Sequence, residues 1–204
     1  MSVSSAVVET RDLRAADDVE FRILEAAMVC LGRHGVAKTT LDDIAREASC
    51  SRATVYRYFP NRAAVVDAAV NAEIDRVTAE IIEGADDAAD LEDAVTAMFV
   101  TAARAIVTHT ALQRALDLEP ELVLPALSFE GGDQMFAESV RRFAPVFARF
   151  LPPDRAARAA EWSTRVLLAY LHPDRAPFAM TEPAAARALV RRHVIPAFPP
   201  NPTN

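Results

Sequence analysis

TTLDDIAREASCSRATVYRYFPNR, residues Thr39–Arg62, is the stretch that decides how this chain is read. Its spacing predicts two short helices joined by a tight turn. Thr40 followed three residues later by Asp43 makes an N-terminal capping pair. Leu41, Ile44, Ala45 and Ala48 then fall on one buried face. Ser49 and Cys50 form the turn, Ser51 caps the second helix, and Val55 and Phe59 anchor that helix to a core. Pro60 stops it, and Asn61 caps a further helix starting at Arg62. Two such helices suit insertion of the second into a DNA major groove while its surroundings grip phosphates.

Working outward, Phe21, Ile23, Leu24, Ala27, Met28 and Leu31 recur with a helical period, predicting a helix over residues 18–33. Gly35 follows and is placed to end it in a left-handed conformation. The helix from Arg62 runs to about Ile82, where Gly84 breaks it. Further helices are expected over about 87–106, 109–118, 120–127, 132–150, 154–171 and 182–195, punctuated by Pro120, Gly131–Gly132, Pro152–Pro153 and Pro173. No run of alternating β-branched residues and no fixed-period repeat is present. The expected fold is all-α: a three-helix helix-turn-helix DNA-binding head followed by a helical ligand-binding and dimerisation domain. The expected boundaries are a flexible leader over 1–17, the head over 18–62, the body over 63–197 and an irregular tail over 198–204.

The chain has a net charge of -7, which fits a nucleic-acid binder only once it is divided. Residues 33–62 hold six basic and three acidic side chains, whereas residues beyond 62 hold 13 basic and 20 acidic ones. The local field at the head, rather than the total charge, governs contact with a phosphate backbone. Two cysteines, Cys30 and Cys50, give no disulfide framework and read as small core-facing groups. No apolar run approaches the roughly 20 residues of a membrane span, and no signal peptide is evident, so a cytoplasmic protein without a membrane partner is expected.

The exposed face of the second helix carries short and cationic groups that reach base edges. Arg52, Thr54 and Arg57 are assigned to base reading, since arginine pairs with guanine O6 and N7 and threonine meets a base edge or a thymine methyl. Ser51 either contacts DNA or only caps its helix. Thr40, Ser51, Tyr56, Tyr58 and Arg62 are assigned to phosphates, the tyrosines through hydroxyls whose rings rest on the protein. Singly, each residue also reads as a solvated or core group; together with the caps and the turn they do not.

On these residues the segment from Phe21 to Val66 resembles the TetR-type transcriptional regulators. The resemblance rests on G-x-x-x-T-T at Gly35–Thr40, L-D-D-I-A at Leu41–Ala45, S-R-A-T-V-Y-R-Y-F at Ser51–Phe59 and P-N-R at Pro60–Arg62. It covers about a quarter of the chain closely. It implies a three-helix DNA-binding head on an all-helical ligand and dimerisation domain. It also implies operator contacts through Thr40, Arg52, Thr54, Tyr56, Tyr58 and Arg62. The chain departs from the pattern at Ser49, where the turn usually holds glycine, and at Arg62, where lysine is common.

The body is less legible. Met98, Phe99, Met135, Phe136, Phe143 and Trp162, with His109 and Gln113 as polar points, are candidates for an effector pocket taking an apolar or amphipathic small molecule. Thr108 and Glu130 are further polar candidates. One short recognition helix buries too little surface for selective binding, so a homodimer on a roughly palindromic operator is expected. Val166, Leu167, Tyr170, Leu189 and Val190 are the candidates for its interface. The four histidines have no metal-ligand spacing, and neither a phosphate loop nor a nucleophile elbow occurs, so no enzyme, metal or cofactor is expected. The expected function is a sequence-specific dimeric repressor of transcription, released from double-stranded operator DNA by the effector. The alternative is a ligand-sensing or protein-interaction dimer whose DNA binding is weakened at Ser49.

Overall fold

The computed structural model describes residues 3–121, 133–170 and 180–199, and of residues 3–17, Asp133 and Tyr170 it describes the backbone. The described elements are α1 (Val3–His34), α2 (Leu41–Glu47), α3 (Arg52–Tyr58), α4 (Arg62–Glu83), α5 (Leu91–Thr108), α6 (Thr110–Leu118), α7 (Asp133–Phe147), α8 (Pro153–Tyr170), α9 (Pro183–His193) and a closing 3₁₀ turn over Ile195–Ala197. The fold is all-α. Two expectations shift. Helix α1 starts at Val3, so the segment expected as a flexible leader is helical in its backbone. Phe198, expected in an irregular tail, is buried against the neighbouring core. The expected helix 120–127 lies largely outside the described residues, as do Phe129, Glu130, Gly131–Gly132 and Pro173.

The chain forms two compact units. The first comprises Met1–Ile74 together with Thr110–Pro120. This unit runs beyond Arg62, the expected end of the head, to Ile74, and takes in α6 from the span expected as body. Its core is made by Ile23, Ala27 and Cys30 of α1, Leu41, Ile44 and Ala45 of α2, Val55 of α3, and Val65 and Ala69 of α4, with Phe59 closing the end of α3. The apolar period of each short helix points its few large side chains inward, and burial of this shared face holds segments too short to be stable as isolated helices. Burial also pushes the Cys30 thiol above its ordinary range.

The capping expectations are met. Thr40 and Asp43 form a reciprocal capping box. The Thr54 amide donates to Ser51 Oγ at 3.0 Å and the Ala64 amide to Asn61 Oδ1 at 2.9 Å. Each such cap is worth about 1 kcal/mol and fixes where its helix begins.

The second unit comprises Asp75–His109 and Glu121–Asn204. Its core gathers Val95 and Phe99 of α5, Phe147 of α7, Ala159 and Ala160 of α8, and Leu189 and Val190 of α9. Alanines on α8 let α7 pack closely along it. An ion network ties α5 to α9: Arg187 Nη1 lies 2.8 Å from Glu92 Oε1, its Nη2 lies 2.7 Å from Asp93, and Arg191 Nε lies 2.8 Å from Glu92. Among the described residues no single helix is long and apolar enough to cross a membrane.

Candidate nucleic-acid interface

The turn between α2 and α3 bends because Ser49 adopts φ 53°, the left-handed region expected of it. The Ser49 amide donates to the Arg46 carbonyl at 3.2 Å and the Cys50 amide to the Ala45 carbonyl at 2.9 Å. Serine thus makes the turn at a steric cost that glycine avoids. Past the turn, Val55 is fully buried, while Arg52, Tyr56 and Arg57 are exposed and Thr54 is half-buried. The seven residues of α3 therefore divide into an anchoring face and a free one. Ala53 lies on the solvent-facing side with Arg52, Tyr56 and Arg57.

The free face is pre-arranged. Arg52 Nη1 meets the Asp42 carboxylate at 3.2 Å and its Nη2 donates to the Tyr56 hydroxyl at 3.2 Å, with the guanidinium 5.5 Å from the ring centroid. The Tyr56 hydroxyl first, and Asp42 second, raise the affinity of Arg52 for its proton. Arg57 leans on Tyr58, 5.1 Å from the ring centroid, and its Nη2 donates to the Tyr58 hydroxyl at 3.3 Å. The Ser51 and Thr54 hydroxyls are paired at 2.9 Å. Thr40 Oγ1 donates to Asp43 Oδ2 at 2.6 Å, and that bond is the leading reason the Asp43 carboxyl lies below the usual carboxylate range.

Arg62 is placed differently from its expected role. It is half-buried, and its Nη1 donates to the carbonyls of Val36 at 2.5 Å and Thr39 at 3.2 Å. That nitrogen is committed to the loop joining α1 to α2, because those carbonyls lack helical partners there. From the other side, Glu119, just past the end of α6, accepts the Val36 and Ala37 amides at 2.6 Å each. Glu119 was not singled out in the sequence. Asp42 reads as an ordinary first-turn acid, and Glu119 meets its partner 83 residues away in the chain.

Residues 23–69 match the family model described as bacterial regulatory proteins, tetR family. The uncharacterized HTH-type transcriptional regulator Rv1255c of Mycobacterium tuberculosis is 29% identical over 182 residues, covering 88% of this chain and 85% of that protein. Over residues 23–69 the chain is similar to the bacterial regulatory proteins of the tetR family. The TetR family repressor AlkX from Dietzia sp., implicated in biodegradation of n-alkanes, superposes with a TM-score of 0.62 at 17% identity, over 85% of this chain and 91% of that one. The complex of SmeT with triclosan superposes with a TM-score of 0.57 at 20% identity, over 92% and 97%. These likenesses establish the architecture. Among the described residues no group of three histidine, cysteine or carboxylate side chains is placed to hold a metal ion.

Of the expected effector residues, Met98, Phe99 and Phe143 share the second unit's core, while the other effector and dimer candidates are placed apart from them or within that core. Met98, Phe99 and Phe136 are buried, while Met135 and Phe143 are half-buried. Arg165 stacks on Phe136 at 3.9 Å from the ring centroid. His109 belongs to the second unit and Gln113 to the first. Thr108 is bonded to the Arg104 carbonyl of its own helix at 2.8 Å. Trp162 is 42% exposed and lines an open cleft of about 480 Å³ with Arg155, Arg158, Glu161, Arg165, Ala197 and Phe198, rather than joining Met98 and Phe99. Val166, Leu189 and Val190, read as interface residues, are buried in their own unit's core, and Leu167 is half-buried against it. The side chain of Tyr170 lies outside the described residues. An apolar stripe looks the same in sequence whether it faces a partner or its own core, and here the core claims it.

Proposed function

We propose that this protein is a dimeric repressor that reads a roughly palindromic operator through α3 and releases it when a small apolar or amphipathic molecule binds the second unit. The single observation that carries the DNA reading is the free face of α3. Arg52, Tyr56 and Arg57 stand exposed beside Thr54 on a helix anchored from behind by Val55. Arg52 and Thr54, in the first turn, are the base readers, since the N-terminal residues of a recognition helix reach base edges. Arg57 stands in the last turn beside Tyr58 and is moved to the phosphate group, with Thr40, Ser51, Tyr56 and Tyr58. Arg62 serves the loop instead.

Two copies are needed because one short helix buries too little surface for selectivity. The interface is assigned to the outward faces of α8 and α9, where Trp162, Ala169, Ala184 and Ala188 are exposed, in place of the buried Val166, Leu189 and Val190. The indole of Trp162 is held by its Nε1 donating to the His193 carbonyl at 2.8 Å, so a large rigid surface stands ready. The effector class rests on the apolar Met98, Phe99, Phe136 and Phe143, and a protein of this fold is known in complex with triclosan. Such a molecule releases DNA only by binding the released state more tightly than the operator-bound one. The closed hydrogen bonds of the Ser49 turn favour this reading over a head disabled at that residue.

Selection of bound DNA from a random pool tests it. Recovery of a sequence with two inverted half-sites, and a complex whose mass equals two chains per site, are the expected results. Recovery of no enriched sequence refutes specific operator binding.

A further inference from the structure

The loop between α1 and α2 has most of its backbone polar groups in use. The Gly35 amide closes α1 by donating to the Leu31 carbonyl at 2.9 Å, and the Gly35 carbonyl accepts the buried Thr39 hydroxyl at 2.7 Å. The Val36 amide donates to Glu119 and the Val36 carbonyl accepts from Arg62, so one peptide segment lies between a carboxylate and a guanidinium. The Ala37 amide takes the second oxygen of Glu119, and Arg62 returns to the Thr39 carbonyl. Glu119 is only 8% exposed, and a carboxylate of that burial persists only when its oxygens are bonded.

Gly35 makes room for it. A Cβ at that position would lie 3.2 Å from Glu119 Oε2, and the φ of +79° disfavours side chains as well. Arg114, on helix α6, donates to the Arg33 carbonyl at 3.1 Å and holds the last turn of α1. Helix α6 and the residue after it thus hold the end of α1 with one cation and the Val36 and Ala37 amides with one anion. Thr40, which caps α2, follows this loop directly, so the loop's position sets where α2 begins and how α3 is presented.

We propose that Glu119 is a positioning residue for operator recognition: its carboxylate, seated on the Val36 and Ala37 amides, fixes the α1–α2 loop and through it the angle of α2 and α3. It touches no DNA. The helix that ends beside it is flanked in the chain on both sides by segments of the second unit, so the anchor of the reading head is covalently continuous with that unit. This inference rests on the DNA-binding reading above, and its test includes one measurement that needs no DNA.

The variants are Glu119→Gln, which keeps shape and loses the charge, and Glu119→Asp, which keeps the charge but is a methylene too short to seat on both amides. In the full chain, backbone amide exchange at Val36 and Ala37 is expected to accelerate in both. Operator affinity, measured on the sequence selected by the unmodified protein, is expected to fall about tenfold, since charge-assisted bonds to two amides are lost. Stoichiometric titration gives the active fraction separately. A merely structural role lowers that fraction or the melting temperature and leaves the dissociation constant of the folded protein alone. Dissociation constants within twofold of the unmodified protein, or unchanged exchange at Val36 and Ala37, overturn the proposal. If the unmodified protein selects no DNA, the functional reading fails, and the exchange comparison still decides whether Glu119 holds the loop.

Discussion

The Arg52 guanidinium and the Asp42 carboxylate stand 3.2 Å apart, each more than half exposed, joining the start of α3 to the first turn of α2. Solvent screens an exposed pair of this kind, so guanine can readily displace the carboxylate. At a wrong base the pair is broken without replacement, and Asp42 also repels nearby phosphates. Asp42 therefore acts against non-operator DNA more than against operator. Asp42→Asn is expected to tighten binding to scrambled duplex several-fold while changing operator affinity little. Competition titrations with both duplexes check this, and an unchanged ratio removes Asp42 from specificity.

Base readers and phosphate contacts separate by how variants behave across sequences. Arg52→Ala and Thr54→Ala are expected to change which half-site is preferred, at about 1–3 kcal/mol for the base pair concerned. Arg57→Ala is expected to weaken all duplexes alike and to reduce the slope of log affinity against log salt by about one per head. Tyr56→Phe and Tyr58→Phe should weaken all sequences with little change in that slope, because no charge is removed. If Arg52→Ala and Thr54→Ala leave preference untouched, the base-reading assignment is wrong.

The head was legible in sequence because its devices are local. The Thr40–Asp43 box, the Ser51 and Asn61 caps, the Gly35 terminus and the left-handed Ser49 all act within a few residues, and all appear as read. What the reading missed is non-local. Arg62 carries the charge expected of a phosphate contact, yet Val36 and Thr39 claim one of its nitrogens from 26 and 23 residues away. Glu119 has no local signature at all, and α6 joins the head only through contacts made in three dimensions. The same limit misplaced Val166, Leu189 and Val190, whose stripes carry no mark of which surface will cover them.

Glu92 supplies a pH prediction for the second unit. Its bonds to Arg191 first, and to Arg187, hold its carboxyl below the ordinary 4.5 in the folded state. A group whose folded value is depressed contributes stability that is fully present above its unfolded value and is lost as pH falls through the folded one. Glu92→Gln is therefore expected to lower the melting temperature at pH 7, with the gap to the unmodified protein closing as pH drops below about 4. Thermal unfolding across that range checks it. A gap independent of pH assigns the loss to packing instead of to the ion network between α5 and α9.

Ser49 sets a stability test with a functional consequence. Holding a non-glycine residue at φ 53° costs roughly 1–2 kcal/mol, while glycine brings back about 0.5–1 kcal/mol of chain entropy to be lost on folding. The difference favours Ser49→Gly by about 0.5 kcal/mol, because the turn's hydrogen bonds use backbone atoms that glycine also provides. Urea unfolding is expected to show a higher midpoint at an unchanged slope. Operator affinity should stay within twofold, since the turn already closes with serine. A large gain in affinity on Ser49→Gly would mean instead that serine holds α3 away from its DNA-reading angle, and would revive the reading of a head weakened at this position.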